Sequence, residues 1–203
     1  MNKWIIPLFS AFAALLASLL VYDSLPADMA VHFSAANEPD NYMRKSFGAF
    51  LSPVLIVFVA WTVLFTARFE KDENKRAKAE AAMPTVAAAV SLLLLAIHGA
   101  ILAFNLGYDI SPFTVAAFAV GGVFLIIGNL LPRMPQGSTQ WPRLSDASQR
   151  KFARFQGRLM VVTGFLLIVT AFLPKAYVPI IVLSLIACFA LITIAALVGL
   201  SRR

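Results

Sequence analysis

The chain is poor in the groups on which most soluble enzymes depend. Its 203 residues include one cysteine, Cys188, and two histidines, His32 and His98. A single cysteine excludes an internal disulfide. One cysteine and two histidines also fall short of a usual zinc set. Charged residues make up 13% of the chain, against about 25% in soluble domains. Walker, HExxH, GxSxG and CxxC patterns are absent from the sequence, and with them the chemistry those spacings support. The sequence predicts no serine with a plausible histidine base beside it, and no acidic pair lies deep in an apolar run. The sequence therefore predicts no catalytic residues, no cofactor and no bound metal, and a protein that is not an enzyme. His32 with Asp28 or Asp40 is the one metal pairing to consider, and no helical spacing presents those residues together.

Apolar residues dominate instead, at 60%. A soluble fold of this size could not hide that much apolar surface. The runs fall at 4–22, 48–66, 84–104, 112–131, 158–173 and 178–200. Each approaches the roughly 20 residues needed to cross about 30 Å of hydrocarbon. Unpaired backbone is costly in lipid and strand alternation is absent, so the spans are read as helices. The expected fold is all-α: a polytopic membrane protein with six transmembrane helices. The first run exceeds the apolar core of a signal peptide and is read as a retained span. The fifth is short and borrows 155–158, with Arg158 reaching to the headgroups. Pro84 and Pro112 suit the first turns of the third and fourth spans, and Ser52-Pro53 the outer end of the second.

The net charge of +7 does not point to nucleic acid. The basic residues lie between apolar runs, beside lipid headgroups, and no nucleic-acid reading motif accompanies them. Lys3, the 68–78 segment, the 133–158 segment and Arg202-Arg203 hold nearly all the lysine and arginine. The alternate loops hold only Arg44, Lys45 and Lys175. The positive-inside rule then places both termini in the cytoplasm and the 23–47 loop outside. Three regions follow: a first helix pair over 1–67 carrying that loop, a basic cytoplasmic connector over 68–83, and a four-helix remainder over 84–203 with a basic loop at 132–158. The expected location is a membrane crossed several times, with the bilayer as a partner.

Ser91 and His98 lie on one face of the third span, and Asn129 lies near the inner end of the fourth. A polar or ionisable group at membrane depth is a site candidate by default. His98 has two readings: a neutral packing residue held by hydrogen bonds, or a proton or ligand group of a small-molecule or proton-coupled transporter. Gly121-Gly122 and Gly128 in the fourth run permit close helix approach, as do Ala187, Ala195 and Gly199 in the sixth. Cys188 reads as a small packing residue. The charged 68–80 segment reads as a helix.

The long polar stretch 25–45 is the most specific part of the chain. It carries Leu25-Pro26, His32, Asn37, Asp40 and Lys45. That spacing resembles a bacterial membrane-domain pattern of unknown function, Leu-Pro…His…Gly…Asp…Lys, with Asn37 in place of glycine. Both residues tolerate a left-handed turn. A second resemblance begins at Gly128-Asn129-Leu130-Leu131-Pro132 and continues in Arg154-Phe155-Gln156-Gly157-Arg158. It is similar to the SdpI family of immunity proteins against a sporulation-delaying toxin. Gln149 and Ala153 stand near positions where that family has tryptophan and histidine. The resemblance implies a bacterial inner membrane as the location and resistance to a secreted antimicrobial peptide toxin. It also implies signalling, by holding a transcriptional repressor at the membrane. A toxin would then meet this loop, with Pro26 and Asn37 shaping it and His32, Asp40 and Lys45 supplying its polar contacts. A cytoplasmic repressor would meet Lys75, Arg76, Arg154 and Arg158. The residues themselves leave open whether the outer motif binds a ligand or only shapes the loop, for instance by an Asp40–Lys45 pair.

Overall fold

The computed structural model describes residues 2–34, 36–134 and 145–201, with Asp146 and Ser201 described by backbone alone. Six helices are long and apolar enough to cross a membrane. They are α1 (Ile5–Val21), α2 (Lys45–Thr66), α3 (Glu73–Asn105), α4 (Pro112–Leu130), α5 (Asp146–Thr170) and α6 (Val178–Ser201). Between α1 and α2 stands an antiparallel hairpin of β1 (Asp28–Phe33) and β2 (Pro39–Arg44). Short 3₁₀ turns at Tyr22–Ser24, Ala67–Phe69 and Leu131–Arg133 extend the ends of α1, α2 and α4.

Both halves of the bundle are built on small residues. Ala11 and Ala14 of α1 pack on Ile56 of α2 and Leu94 and Leu95 of α3. The second half rests on α4 against α5. A Cβ on Gly121 would stand 2.7 Å from the Gly164 carbonyl oxygen, and one on Gly164 would stand 2.7 Å from that of Gly121. One heptad further along, a Cβ on Gly157 would lie 2.5 Å from the Gly128 oxygen and 2.9 Å from the Pro132 ring. Real side chains do not reach such distances, so glycine at all four positions lets the two backbones touch. The expected close approach at Gly121 and Gly128 is therefore present. Gly122 has nothing within 4 Å of its Cβ position and takes no part.

Six expectations need correction. The basic connector and third span form one helix: α3 runs for 33 residues, about 50 Å at 1.5 Å per residue. Pro84 lies inside it, not in a first turn. The proline costs one backbone bond, to the carbonyl of exposed Glu80, which water can serve. The real start is Asp72, whose side chain accepts from the Lys75 amide at 3.0 Å. The 68–80 segment is thus broken near 70–72 rather than uniformly helical. Pro53 likewise sits inside α2 and is buried. On α6, Ala187 and Ala195 are exposed and a Cβ on Gly199 would meet nothing within 4 Å. Cys188 is exposed as well. In a membrane protein those surfaces face lipid or another chain.

Pro112 does open α4, with the Ser111 hydroxyl accepting from the Thr114 amide at 3.2 Å.

Candidate functional site

Three connections meet at one end of the bundle: the hairpin, the α3–α4 turn and the α5–α6 turn. Lys175 Nζ lies 2.6 Å from an Asp109 carboxylate oxygen, joining the last two. Two side-chain bridges join the hairpin to the α3–α4 turn. Asn105, the last residue of α3, accepts from the Ala30 amide at 2.8 Å and donates to the Ala30 carbonyl at 2.9 Å. It thereby serves as a third strand for that one residue. Ser111, the cap of α4, donates to the Asn37 side-chain oxygen at 3.0 Å. Phe33 meets Phe104 edge-on at 4.8 Å between ring centroids. Beneath the hairpin, Leu25 and Met29 are buried against Ala49 and Leu102.

This anchoring divides the motif residues by role. Pro26 is exposed and follows Leu25, whose backbone is extended (φ −76°, ψ 143°). A residue before proline is driven to that conformation, so the 3₁₀ turn ends there and the strand begins. Asn37 has φ 61°, the left-handed region expected for it. Lys45 is the first residue of α2. Its ammonium lies 3.3 Å from the Tyr22 carbonyl oxygen, 3.4 Å from that of Leu25 and 4.8 Å from the Tyr22 ring centroid. It ties the exit of the hairpin to its entry.

The suggested Asp40–Lys45 pairing does not occur; Asp40 pairs with His32. Two register shifts in the hairpin explain why. Met29 faces Met43 and Ala30 faces Tyr42, but His32 faces Asn41 and Phe33 faces Pro39. Val31 and Asp40 are thus extra residues, one on each strand. Such irregularities redirect side chains. Here His32 Nδ1 lies 2.5 Å from an Asp40 oxygen, with the two side chains 68% and 45% exposed. Tyr42 is also exposed, at 57%. The motif therefore has a shaping set, Pro26, Asn37 and Lys45, and an outward pair, His32 and Asp40. The sequence marks the hairpin only as part of the 23–47 loop and does not single out Asn105.

His98 lies two turns from the hairpin end of α3 and is 1% exposed. Against expectation, a serine does stand beside this histidine: Ser18 Oγ is 2.5 Å from the Ala49 carbonyl oxygen and 2.9 Å from His98 Nε2. The carbonyl can only accept, so it takes the one hydroxyl proton. Nε2 must then carry a proton and donate to Ser18, with the Ala14 carbonyl at 3.1 Å sharing it. His98 thus joins α3 to α1 and, through Ser18, to α2. Its Nδ1 is buried without a protein partner among the described residues. Ser91, on the same face, donates to Ala87 of its own helix at 2.7 Å. Asn129 is exposed in the last turn of α4.

At the opposite end, Lys75 and Arg76 lie in the first turn of α3, with Arg76 3.8 Å from Glu73. Arg154 and Arg158 are exposed on α5 and flank Gly157. The Gly128–Pro132 and Arg154–Arg158 segments, far apart in sequence, meet where Gly157 packs on Gly128 and Pro132. Trp141 and Arg143 lie outside the described residues.

Six spanning helices and an anchored polar hairpin define a multi-pass α-helical membrane protein. Comparison with known proteins narrows this. Residues 9–57 match a domain of unknown function (DUF1648). The chain is similar to the Immunity protein SdpI of Bacillus subtilis (strain 168), with 24% identity over 92% of this chain and 89% of the relative. It is also similar to the Uncharacterized membrane protein YbgB of that organism, with 38% identity over 26% of this chain and 57% of the relative. The resemblance to the SdpI family therefore extends well beyond the two motif segments. No solved structure matches the chain.

Proposed function

We propose that this protein is a membrane immunity protein that protects its cell from a secreted antimicrobial peptide. The observation that carries the proposal is the anchored hairpin with its outward His32–Asp40 pair. A surface braced by Asn105, Ser111 and Lys45 is ordered before a ligand arrives, which lowers the entropic cost of binding. Similarity to an immunity protein over most of the chain supports the same reading. The work is binding rather than catalysis.

In this proposal the hairpin faces outside and both termini face the cytoplasm, as the distribution of lysine and arginine favours. Lys75, Arg76, Arg154 and Arg158 then form a cytoplasmic surface for a repressor protein. A transporter built on His98 has less support, because Nε2 is committed to joining three helices.

The test is expression in a bacterium sensitive to peptide toxins. A rise in the inhibitory concentration of a peptide toxin supports the proposal. Unchanged sensitivity to every toxin tried, with the protein present in the membrane, contradicts it.

A further inference from the structure

An apolar groove of about 720 Å³ runs between α1 and α2. Ala11 and Pro53 are buried at its floor, and Phe12, Val54 and Phe58 wall it. It extends from Trp4 to Leu15 on one helix and from Trp61 to Phe50 on the other. At ~1.5 Å per residue each wall is about 16 Å long. That is close to one leaflet, half of a hydrocarbon core about 30 Å thick.

The two ends differ in charge. Trp4 and Trp61 also line a small cleft that holds Lys3 and Arg68. The same two cations continue into an adjoining polar cleft of about 390 Å³ with Glu80 and Met83. Arg68 stacks over the Phe65 ring at 5.5 Å, which holds its guanidinium at this mouth. Neither Lys3 nor Arg68 makes an ion pair among the described residues. Two cations thus face one carboxylate, at a mouth framed by two indoles of the kind that sit at headgroup level.

We infer that the groove binds one anionic phospholipid of the bilayer. An acyl chain lies between α1 and α2, and the headgroup phosphate rests on Lys3 and Arg68. The leaflet-long apolar wall and the cationic mouth match the two parts of that molecule. Glu80 opposes the phosphate and limits its affinity.

The chain has three tryptophans, so a Trp141→Phe variant of the full chain reports from Trp4 and Trp61. It is reconstituted in phosphatidylcholine vesicles. Phosphatidylglycerol or phosphatidylcholine with brominated chains is then added at equal mole fraction. Quenching by phosphatidylglycerol should reach half-maximum at about five- to thirtyfold lower mole fraction, the range set by two cations with and without the opposing Glu80. In the same background, Lys3→Gln with Arg68→Gln should remove that preference while leaving phosphatidylcholine quenching unchanged. Glu80→Gln should strengthen the preference. Val54→Phe should weaken quenching by both lipids. Equal quenching by the two lipids in the parent, or a preference that survives the double substitution, overturns the inference. So does quenching by neither lipid together with crosslinking between copies through Val54→Cys in a Cys188→Ser background, which would make the groove a contact between chains.

Discussion

The Asn105 side chain holds both backbone groups of Ala30, at 2.8 and 2.9 Å, and so fixes β1 to the end of α3. Few side chains can donate and accept in that geometry. Asn105→Ala should therefore leave two partly buried backbone groups unpaired, at a cost of ~1–3 kcal/mol each. Thermal unfolding of the purified protein should shift down, and amide exchange at Ala30 should speed up. Asn105→Asp keeps the acceptor and loses the donor, so its effect should be intermediate.

The α4–α5 contact gives a size-dependent prediction. Gly157→Ala places a Cβ 2.5 Å from a backbone oxygen, which neither helix can avoid without separating. A loss of ~1–3 kcal/mol is expected. Gly122→Ala, with no atom within 4 Å, should leave the melting temperature unchanged within error.

His98 and Ser18 should behave as one unit. Ser18→Ala removes the acceptor of Nε2 and the donor to Ala49, and should cost ~1–3 kcal/mol. His98→Ala should cost at least as much through its added cavity. The double variant should lose less than the sum of the two, because each single change already breaks the shared bond. Additive losses in thermal unfolding would separate the two residues.

Sidedness can be read by labelling. In a Cys188→Ser background, a membrane-impermeant maleimide applied to intact cells should label Glu38→Cys and not Lys71→Cys. Both positions are exposed in the fold. The reverse pattern would invert the proposed orientation.

The sequence revealed most of what lipid dictates and little of what side-chain bridges dictate. The six spans were legible because hydrocarbon demands long apolar runs, and Pro112 because a first turn has no use for its amide hydrogen. The hairpin was not, because Asp28–Phe33 contains only one β-branched residue, Val31, and its pairing irregularities blur alternation. What makes it a strand is tertiary: Met29 buried beneath it and Asn105 bonded along its edge. Pro84 suggested a helix start because proline is usually excluded from helix interiors, yet here it falls beside an exposed turn. The motif spacing correctly singled out Asn37 as a left-handed position. It did not show that Lys45 turns back to Tyr22 while Asp40 reaches His32, since the register shifts that decide this leave no trace in spacing. The α6 stripe was misread because small residues on a helix imply a close neighbour only where a neighbour exists.

The central claim is that the outward pair on the braced hairpin recognises the toxin. Its most direct test is the protection given by His32→Ala with Asp40→Ala, at matched membrane abundance and matched melting temperature. The pair is exposed and bears no packing load, so the account predicts an unaltered fold and protection reduced about tenfold or more, as befits loss of ~1–3 kcal/mol from charged contacts. Full protection by this double variant would contradict it.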